Sequence, residues 1–335
     1  MAVSDPATSL LPWHASLWQQ FLALHRSGRL PHAMLLSGPR GVGKQRFAEA
    51  LLGYLLCASP GETACGQCHG CHMLAAGYHP DLLRVSPEEG KRQIRIDPIR
   101  EVNAFVSQTA QQGGHRVIVL SPAEAMNVAA ANALLKSLEE PGARTQFLLL
   151  ADVPSRMLAT IRSRCQHWSL PLPEHEQSIE WLAKSLGGRD EAEFWLQVAG
   201  GLPLLAAELA APDSRALRKQ LHETFDALVR GAEPVAEAAR LDRQSLESIL
   251  WYGIAWLEDL IRLGLSGESA AVRNPDLLPL YRQAVKNARV QDWFRLLDFA
   301  REQRRLLAAG GNPTPSWSSR PGWYAGRPCC AREAG

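Results

Sequence analysis

Gly38-Pro39-Arg40-Gly41-Val42-Gly43-Lys44-Gln45 spells a phosphate-binding loop, G-x-x-x-x-G-K, with Gln45 where a hydroxyl residue would hold magnesium. Such a loop works because closely spaced backbone N–H groups cradle phosphate oxygens at a helix N-terminus, while the lysine adds a point charge. Binding therefore needs only Gly38, Gly41, Gly43 and Lys44. Hydrolysis also needs Mg²⁺, normally held by the Ser/Thr after the lysine and by an acidic residue at the end of a second strand. Gln45 offers a neutral amide carbonyl, a poorer magnesium ligand in that tight geometry. On the N-terminal side, Ala33-Met34-Leu35-Leu36 is a short apolar run that reads as a buried strand. On the other side, residues 46–56 (RFAEALLGYLL) space their apolar side chains as a helix does. Strand, glycine loop and helix follow in the order that phosphate binding requires, and a glycine-rich turn without a ligand is the alternative.

The rest of a hydrolytic site is missing from its expected places. His115-Arg116-Val117-Ile118-Val119-Leu120 reads as a second buried strand, which in a hydrolysing protein would end in an acidic pair, one carboxylate for magnesium and one to polarise water. Ser121-Pro122 stands there instead, and Glu124 reads as an acid at a helix start. If Phe147-Leu148-Leu149-Leu150 is the relevant strand, Ala151-Asp152 supplies at best one acid. Between these strands, residues 129–141 (AAANALLKSLEEP) combine helix formers, an apolar face and a proline stop. Further on, Ser163-Arg164-Cys165 follows a short helical stretch and precedes Trp168-Ser169-Leu170, read as a strand. An Arg-x-Arg pair such as Arg162 and Arg164 is, by itself, ordinary surface charge.

Cysteine usage supplies a second motif. Cys57, Cys65, Cys68 and Cys71 form C-x7-C-x2-C-x2-C in a loop rich in Gly and His. Thiolates at this spacing suit a tetrahedral Zn²⁺ site, because each C-x2-C turn aims two sulfurs at one ion. His69, His72 and His79 are spare ligands, and an iron–sulfur cluster is the alternative. A closed four-sulfur shell leaves no position for substrate water, so the zinc is expected to be structural.

Composition excludes little. The chain has 335 residues, enough for two or three domains, and a formal net charge of +2, which leaves no nucleic-acid footprint by itself. Basic residues between Arg84 and Arg116 alternate with Glu88, Glu89, Asp97 and Glu101 and read as a solvated face. No apolar run approaches bilayer length and the N-terminus lacks a basic region followed by an apolar stretch, so a cytoplasmic location with no membrane partner is expected.

Taken together, Gly28-Arg29-Leu30-Pro31-His32-Ala33 leading into the glycine loop, the four-cysteine insert, residues 132–141 (NALLKSLEEP) and Ser163-Arg164-Cys165 carry a family resemblance. From about Pro12 to Pro171 the chain resembles the delta-prime family of bacterial DNA polymerase III clamp-loader subunits, within the AAA+ group. The resemblance implies that Arg164 is an arginine finger, reaching in trans to the γ-phosphate of ATP held by a neighbouring subunit, with Ser163 and Cys165 as its motif neighbours. It implies that Cys57, Cys65, Cys68 and Cys71 are the family's zinc insert. It also pairs a degenerate nucleotide site with a working finger, and places Pro203 of Gly200-Gly201-Leu202-Pro203 where active relatives carry a nucleotide-sensing arginine. ATP binding by this chain is then doubtful, and ATP is used by the neighbour.

The expected organisation follows. Residues 1–170 form an α/β AAA+ P-loop domain with a parallel sheet and the zinc insert at 57–71. Pro171 and Pro173 break the chain, and 171–210 form a small helical lid. Residues 211–315 form an all-helical collar through which such subunits assemble, with apolar helical patterns over Ser245 to Leu265 and Leu277 to Leu307. Residues 316–335 break the pattern, with no period and several breakers. Permitted codons read one nucleotide earlier can spell an amphipathic helix, QLVLEAWLVRWAALL, which predicts a frameshift near Pro315, real or from sequencing. A natural disordered tail is the alternative; resequencing decides, and a real shift should weaken ring assembly.

The function expected is that of a non-hydrolysing, stator-like subunit, a component of the DNA polymerase III holoenzyme (a DNA-directed DNA polymerase) without ATPase of its own. Its expected partners are motor ATPase and delta-type subunits and, through the complex, the sliding clamp and primed DNA. A motor ATPase of the same fold is one alternative, distinguished by phosphate release from the isolated chain. A zinc-dependent nucleic-acid-binding module is another; it requires salt-dependent DNA binding lost on chelation, and the near-neutral charge argues against it.

Overall fold

The computed structural model describes residues 10–112, 114–241 and 246–308. Five strands, β1 (Ala33–Ser37), β2 (Leu82–Val85), β3 (Arg116–Leu120), β4 (Thr145–Ala151) and β5 (Gln166–Ser169), form one sheet in the order β2-β3-β4-β1-β5. Every pairing is parallel, with Leu35 opposite Leu149, Ile118 opposite Phe147 and Leu36 opposite Trp168. A parallel sheet is covered on both faces, so its strands are apolar throughout rather than alternating. β3 (RVIVL) and β4 (TQFLLLA) are buried at every position.

Alternate side chains feed two cores. Met34, Leu36, Val117, Val119, Leu148 and Leu150 pack with α1 (Ala15–Arg26) and α2 (Lys44–Leu56), through Trp18, Phe21, Phe47 and Leu51. After the short helix α3 (His69–Ala75), α4 (Ile96–Val106) and α5 (Val128–Glu139) cover the other face, where Leu35, Ile118, Leu120, Phe147 and Leu149 meet Ile99, Val102 and Leu134. α6 (Ala159–Arg162) adds Ile161 to that core. Asn127 caps α5 by accepting from the Ala130 N–H at 2.8 Å, and the helix stops before Pro141. This is a three-layer α/β architecture built on a wholly parallel sheet, as the sequence leads one to expect.

Arg116 does not belong to a solvated face: it is 1% exposed, lies 4.2 Å over the Phe105 ring and donates to the Gln108 carbonyl at 2.8 Å. Its partner charge is Asp81, fully buried and accepting from the Gln111 and Gln112 N–H groups at 2.8 and 2.9 Å. A charge enters a core only with such partners.

The remaining helices are α7 (His175–Leu186), α8 (Arg189–Val198), α9 (Pro203–Leu209), α10 (Pro212–Val229), α11 (Pro234–Ala239), α12 (Leu246–Ser266), α13 (Leu278–Asn287) and α14 (Val290–Ala308). The chain divides into two compact units. One runs through Trp181 and takes back Leu202–Leu205; the other holds Leu182–Gly201 and continues from Ala206. In the second, Leu250, Ile254 and Ile261 of α12 pack on Leu297, Ala300 and Leu307 of α14. The apolar span from Leu277 to Leu307 is two helices, interrupted where Ala288 is extended. Buried Asp259 fastens the preceding loop by accepting from the N–H groups of Arg273 and Asn274 at 2.9 and 3.0 Å. The proposed frameshift near Pro315 lies outside the described residues.

Candidate functional site

The carboxyl ends of β1 and β4 stand side by side, the usual place for a ligand in a parallel sheet. β1 delivers the glycine loop and β4 delivers Asp152. Gly43, left-handed at φ 100°, caps α2, and Lys44 is the first residue of that helix. The Lys44 side chain is buried and turns back on its own loop. Its Nζ donates to the carbonyls of Gly38 at 2.7 Å and Pro39 at 3.0 Å and pairs with Asp152 Oδ1 at 2.6 Å. An ammonium has three N–H donors, and these three acceptors engage all of them. Gln45 points elsewhere: its Nε2 donates to Glu49 Oε1 at 2.8 Å, and Glu49 receives Arg84 as a two-bond fork.

Two segments pack against the loop. The Leu204 N–H donates to the Gly41 carbonyl at 3.3 Å, and a Cβ added to Gly41 would lie 2.7 Å from Leu205 Cβ. A Cβ on Gly43 would lie 2.5 Å from Leu11 Cδ1 and 2.8 Å from His14 Cε1. Trp13 Nε1 and His14 Nε2 both bond the Val42 carbonyl, at 2.8 and 3.0 Å. His14 is fully buried, and burial pushes its pKa down to about 4 against the opposing pull of the Val42 carbonyl. Pro203, at the start of α9, sits in the segment that closes on Gly41.

The end of β3 holds no acidic pair. Ser121-Pro122 is a cis peptide, followed by the 3-10 turn Ala123–Ala125 that carries Glu124. Glu124 Oε1 accepts the N–H groups of Asp152 and Val153 at 2.8 and 3.1 Å. It therefore fixes the backbone of the residue that holds Lys44. Asp152 and Glu124 are thus both engaged in building the loop's surroundings.

Ser163-Arg164-Cys165 closes α6. Ser163 is its C-cap, with Oγ 3.2 Å from the Thr160 carbonyl, and Cys165 is buried in the sheet core, its thiol pushed up to about 12 by burial. These two anchors leave Arg164 between them, its side chain 35% exposed. Its Nε donates to Glu139 Oε1 at 2.7 Å, Nη2 pairs with the same oxygen, and Nη1 donates to the Thr160 carbonyl at 2.9 Å.

The cysteines converge around the far end of α2. Cys57 is its C-cap and Cys68 caps α3, accepting from the Cys71 N–H. All four Sγ atoms lie within 4.8 Å of one another, with Cys65–Cys71 at 4.0 Å and Cys57–Cys68 at 3.9 Å. A tetrahedron with metal–sulfur bonds of about 2.3 Å has edges of about 3.8 Å, so the thiols fit one ion. Backbone N–H groups of Gln67 and Cys68 bring the Cys65 thiol down to about 6, and those of Ala58, Cys65, Cys68 and Cys71 all point at sulfur. Such donors stabilise thiolate ligands. His69, His72 and His79 are not in the cluster.

A family model described as "DNA polymerase III, delta subunit" matches residues 13–174. The chain is 38% identical over 330 residues to the DNA polymerase III subunit delta′ of Pseudomonas aeruginosa, covering 93% of this chain and 98% of that protein. It is 37% identical to the subunit delta′ of Haemophilus influenzae, over 78% and 80% of the two chains. With that of Escherichia coli the identity is 33%, over 84% and 85%. The chain belongs to the DNA polymerase III delta-prime family.

In this delta-prime chain the sequence motifs locate the glycine loop, the cysteines and the Ser-Arg-Cys turn, but not the residues that complete them. Asp152, Glu124, Glu139 and the Trp13–His14 pair all join the sites through tertiary contacts. Asp152 and Glu139 had a sequence signal, since Asp152 directly follows a strand and Glu139 lies in the 132–141 motif. Among the described residues no helix is long and apolar enough to cross a membrane.

Proposed function

We propose that this chain is a non-hydrolysing, stator-like subunit of the replicative clamp loader, which completes a neighbouring subunit's ATPase site with Arg164. The observation that carries this reading is the state of the two cations. Lys44 has every N–H engaged by Gly38, Pro39 and Asp152, whereas Arg164 stands at the surface on a motif anchored by Ser163 and Cys165. Nucleotide at the glycine loop would have to break the Lys44 bonds and proceed without an acidic pair at the end of β3 to organise magnesium. A planar guanidinium supplied from outside asks nothing of that loop. It stabilises charge spread over the transferring phosphoryl group of ATP bound next door.

The division into a P-loop domain, a lid over 171–210 and a collar over 211–315 belongs to the same proposal, as do motor ATPase and delta-type neighbours. Sliding clamp and primed DNA are reached through the complex. We also infer that Cys57, Cys65, Cys68 and Cys71 hold one structural Zn²⁺, supported by their mutual distances and by the N–H groups aimed at them. The experiment is turnover by the assembled clamp loader with wild-type chain or Arg164→Ala, beside the isolated chain in Mg-ATP. The variant complex is expected to form but to lose ATPase and clamp loading, and the isolated chain to release no phosphate. Unchanged ATPase in the Arg164→Ala complex would refute the finger, and turnover by the isolated chain would favour a motor.

A further inference from the structure

Arginine has a long, rotamer-rich side chain, and a finger that must meet a phosphate on another subunit gains from being held beforehand. The surroundings of Arg164 supply such a hold. Glu139 is the last residue of α5, and Thr160 lies in α6, which packs beside it. The carboxylate of the first takes Nε–H and one Nη2–H, and the carbonyl of the second takes one Nη1–H. Two anchors on two helices thus define the guanidinium plane. A guanidinium has five donors, so three bonds leave one N–H on each terminal nitrogen for an oxyanion. The local backbone is fixed as well, with the Arg164 N–H on the Ile161 carbonyl at 3.1 Å and Cys165 sunk in the core.

We propose that Glu139 is a positioning residue for Arg164, orienting the guanidinium so that its two remaining donors meet the γ-phosphate of a neighbour's nucleotide. The inference rests on the finger reading of Arg164. Glu139 itself touches no phosphate in this scheme; an anion facing an anion would only repel. Its contribution is geometric, and it needs an acceptor atom at Oε1 rather than a full charge. Glutamine retains that acceptor and alanine does not. The opposite role, a carboxylate that withholds the finger, makes the opposite prediction.

The test is steady-state ATPase of the assembled complex containing Glu139→Ala, Glu139→Gln, Arg164→Ala, or Arg164→Ala with Glu139→Ala. Each is measured with sliding clamp and primed DNA, and kcat and KM for ATP are separated. Glu139 is half-exposed at a helix end, and thermal melting of each purified chain checks folding. Glu139→Ala is expected to lower kcat by about tenfold to 10²-fold, the scale of a misplaced catalytic group, with KM held within about twofold. Glu139→Gln should recover most of that loss, and the double variant should be no slower than Arg164→Ala alone. Wild-type or raised turnover with Glu139→Ala, or no recovery with Glu139→Gln, overturns the positioning role. If Arg164→Ala itself leaves turnover unchanged, the finger reading falls first; if Arg164→Ala is slow and Glu139→Ala is not, only the present inference falls.

Discussion

Lys44 of the glycine loop and Arg164 of the Ser-Arg-Cys turn are both cations that lean on a carboxylate and bond the backbone, yet they end in opposite states. Lys44 is buried, and its three donors have three acceptors supplied by its own loop and by Asp152. Arg164 is partly exposed, and its contacts leave donors unused. The difference lies in the chemistry of the head groups as much as in their surroundings. A compact ammonium is exhausted by a small cage, whereas a planar fork can be held from one side and still present another. The same contrast is consistent with a degenerate loop persisting while a motif at the opposite end of the β1–β5 pair does the catalytic work proposed here.

The sharpest way to break that contrast is to remove each cation in turn from the assembled clamp loader. Arg164→Ala is expected to lower ATPase by about 10³-fold at the affected site, the lower end of what arginine fingers contribute. Lys44→Ala should leave turnover within about twofold, because on this reading the lysine meets no phosphate; if the two variants fall alike, the contrast between the cations disappears.

Next in size is the seal around the loop. Gly43 and Gly28 both have positive φ, but a Cβ at Gly43 meets Leu11 and His14, while one at Gly28 meets nothing within 4 Å. Gly43→Ala should therefore cost about 3 kcal/mol, from about 1 for the left-handed backbone and about 2 for overpacking. Gly28→Ala should cost only the first part. Urea unfolding without nucleotide measures both, and equal losses would mean that the glycine loop is not closed by packing.

How much of this was legible beforehand varied with how local the cause was. β1, the glycine loop, α2, β3, β4 and α5 announce themselves because phosphate cradles, buried parallel strands and capped helices each demand particular residues in a row. β2 was not legible: it is a four-residue edge strand (LLRV) whose Arg84 faces outward to Glu49, so its charge merged with the neighbouring polar run. α3 was hidden inside the cysteine spacing, which signals ligands rather than helix. The spacing placed four thiols near one ion, but nothing in the chain order could place Asp152 on Lys44 or Glu139 on Arg164. Those pairings depend on β4 lying beside β1 and on α5 lying beside α6, which are properties of the folded sheet.

Chelation sharpens the contrast at a distance. The cysteine cluster begins at the C-cap of α2, whose first residue is Lys44, and Gly70 of α3 comes so near that an added Cβ would lie 2.4 Å from the Leu56 carbonyl. Removing the proposed Zn²⁺ should speed hydrogen exchange at the sulfur-bonded amides of Ala58, Cys65, Cys68 and Cys71 by about 10²-fold, since ligand binding there would be folding energy. Exchange in α5 and α6, under Arg164, should not change. Equal acceleration in both regions would mean that the insert is integral to the whole domain rather than to the α2 side.

The smallest effect concerns His14, whose ring stands against the loop at the Gly43 and Val42 backbone. To donate from Nε2 to the Val42 carbonyl while Nδ1 is buried without a partner, the imidazole must be neutral. Burial lowers its pKa from 6.5 to about 4. As pH falls below about 6.5 the unfolded imidazole takes up a proton and the folded one does not, so unfolding is coupled to proton uptake and stability declines until the folded group titrates near 4. Between pH 6.5 and 5, before most carboxylates protonate, this one residue should remove about 2 kcal/mol. His14→Gln keeps a side-chain N–H for Val42 and cannot titrate, so its stability should be less dependent on pH by that amount across the same interval. Parallel pH profiles for the two proteins would place the acid sensitivity elsewhere. A difference of the expected sign would show that the folded chain holds this ring neutral against the Val42 carbonyl of the glycine loop.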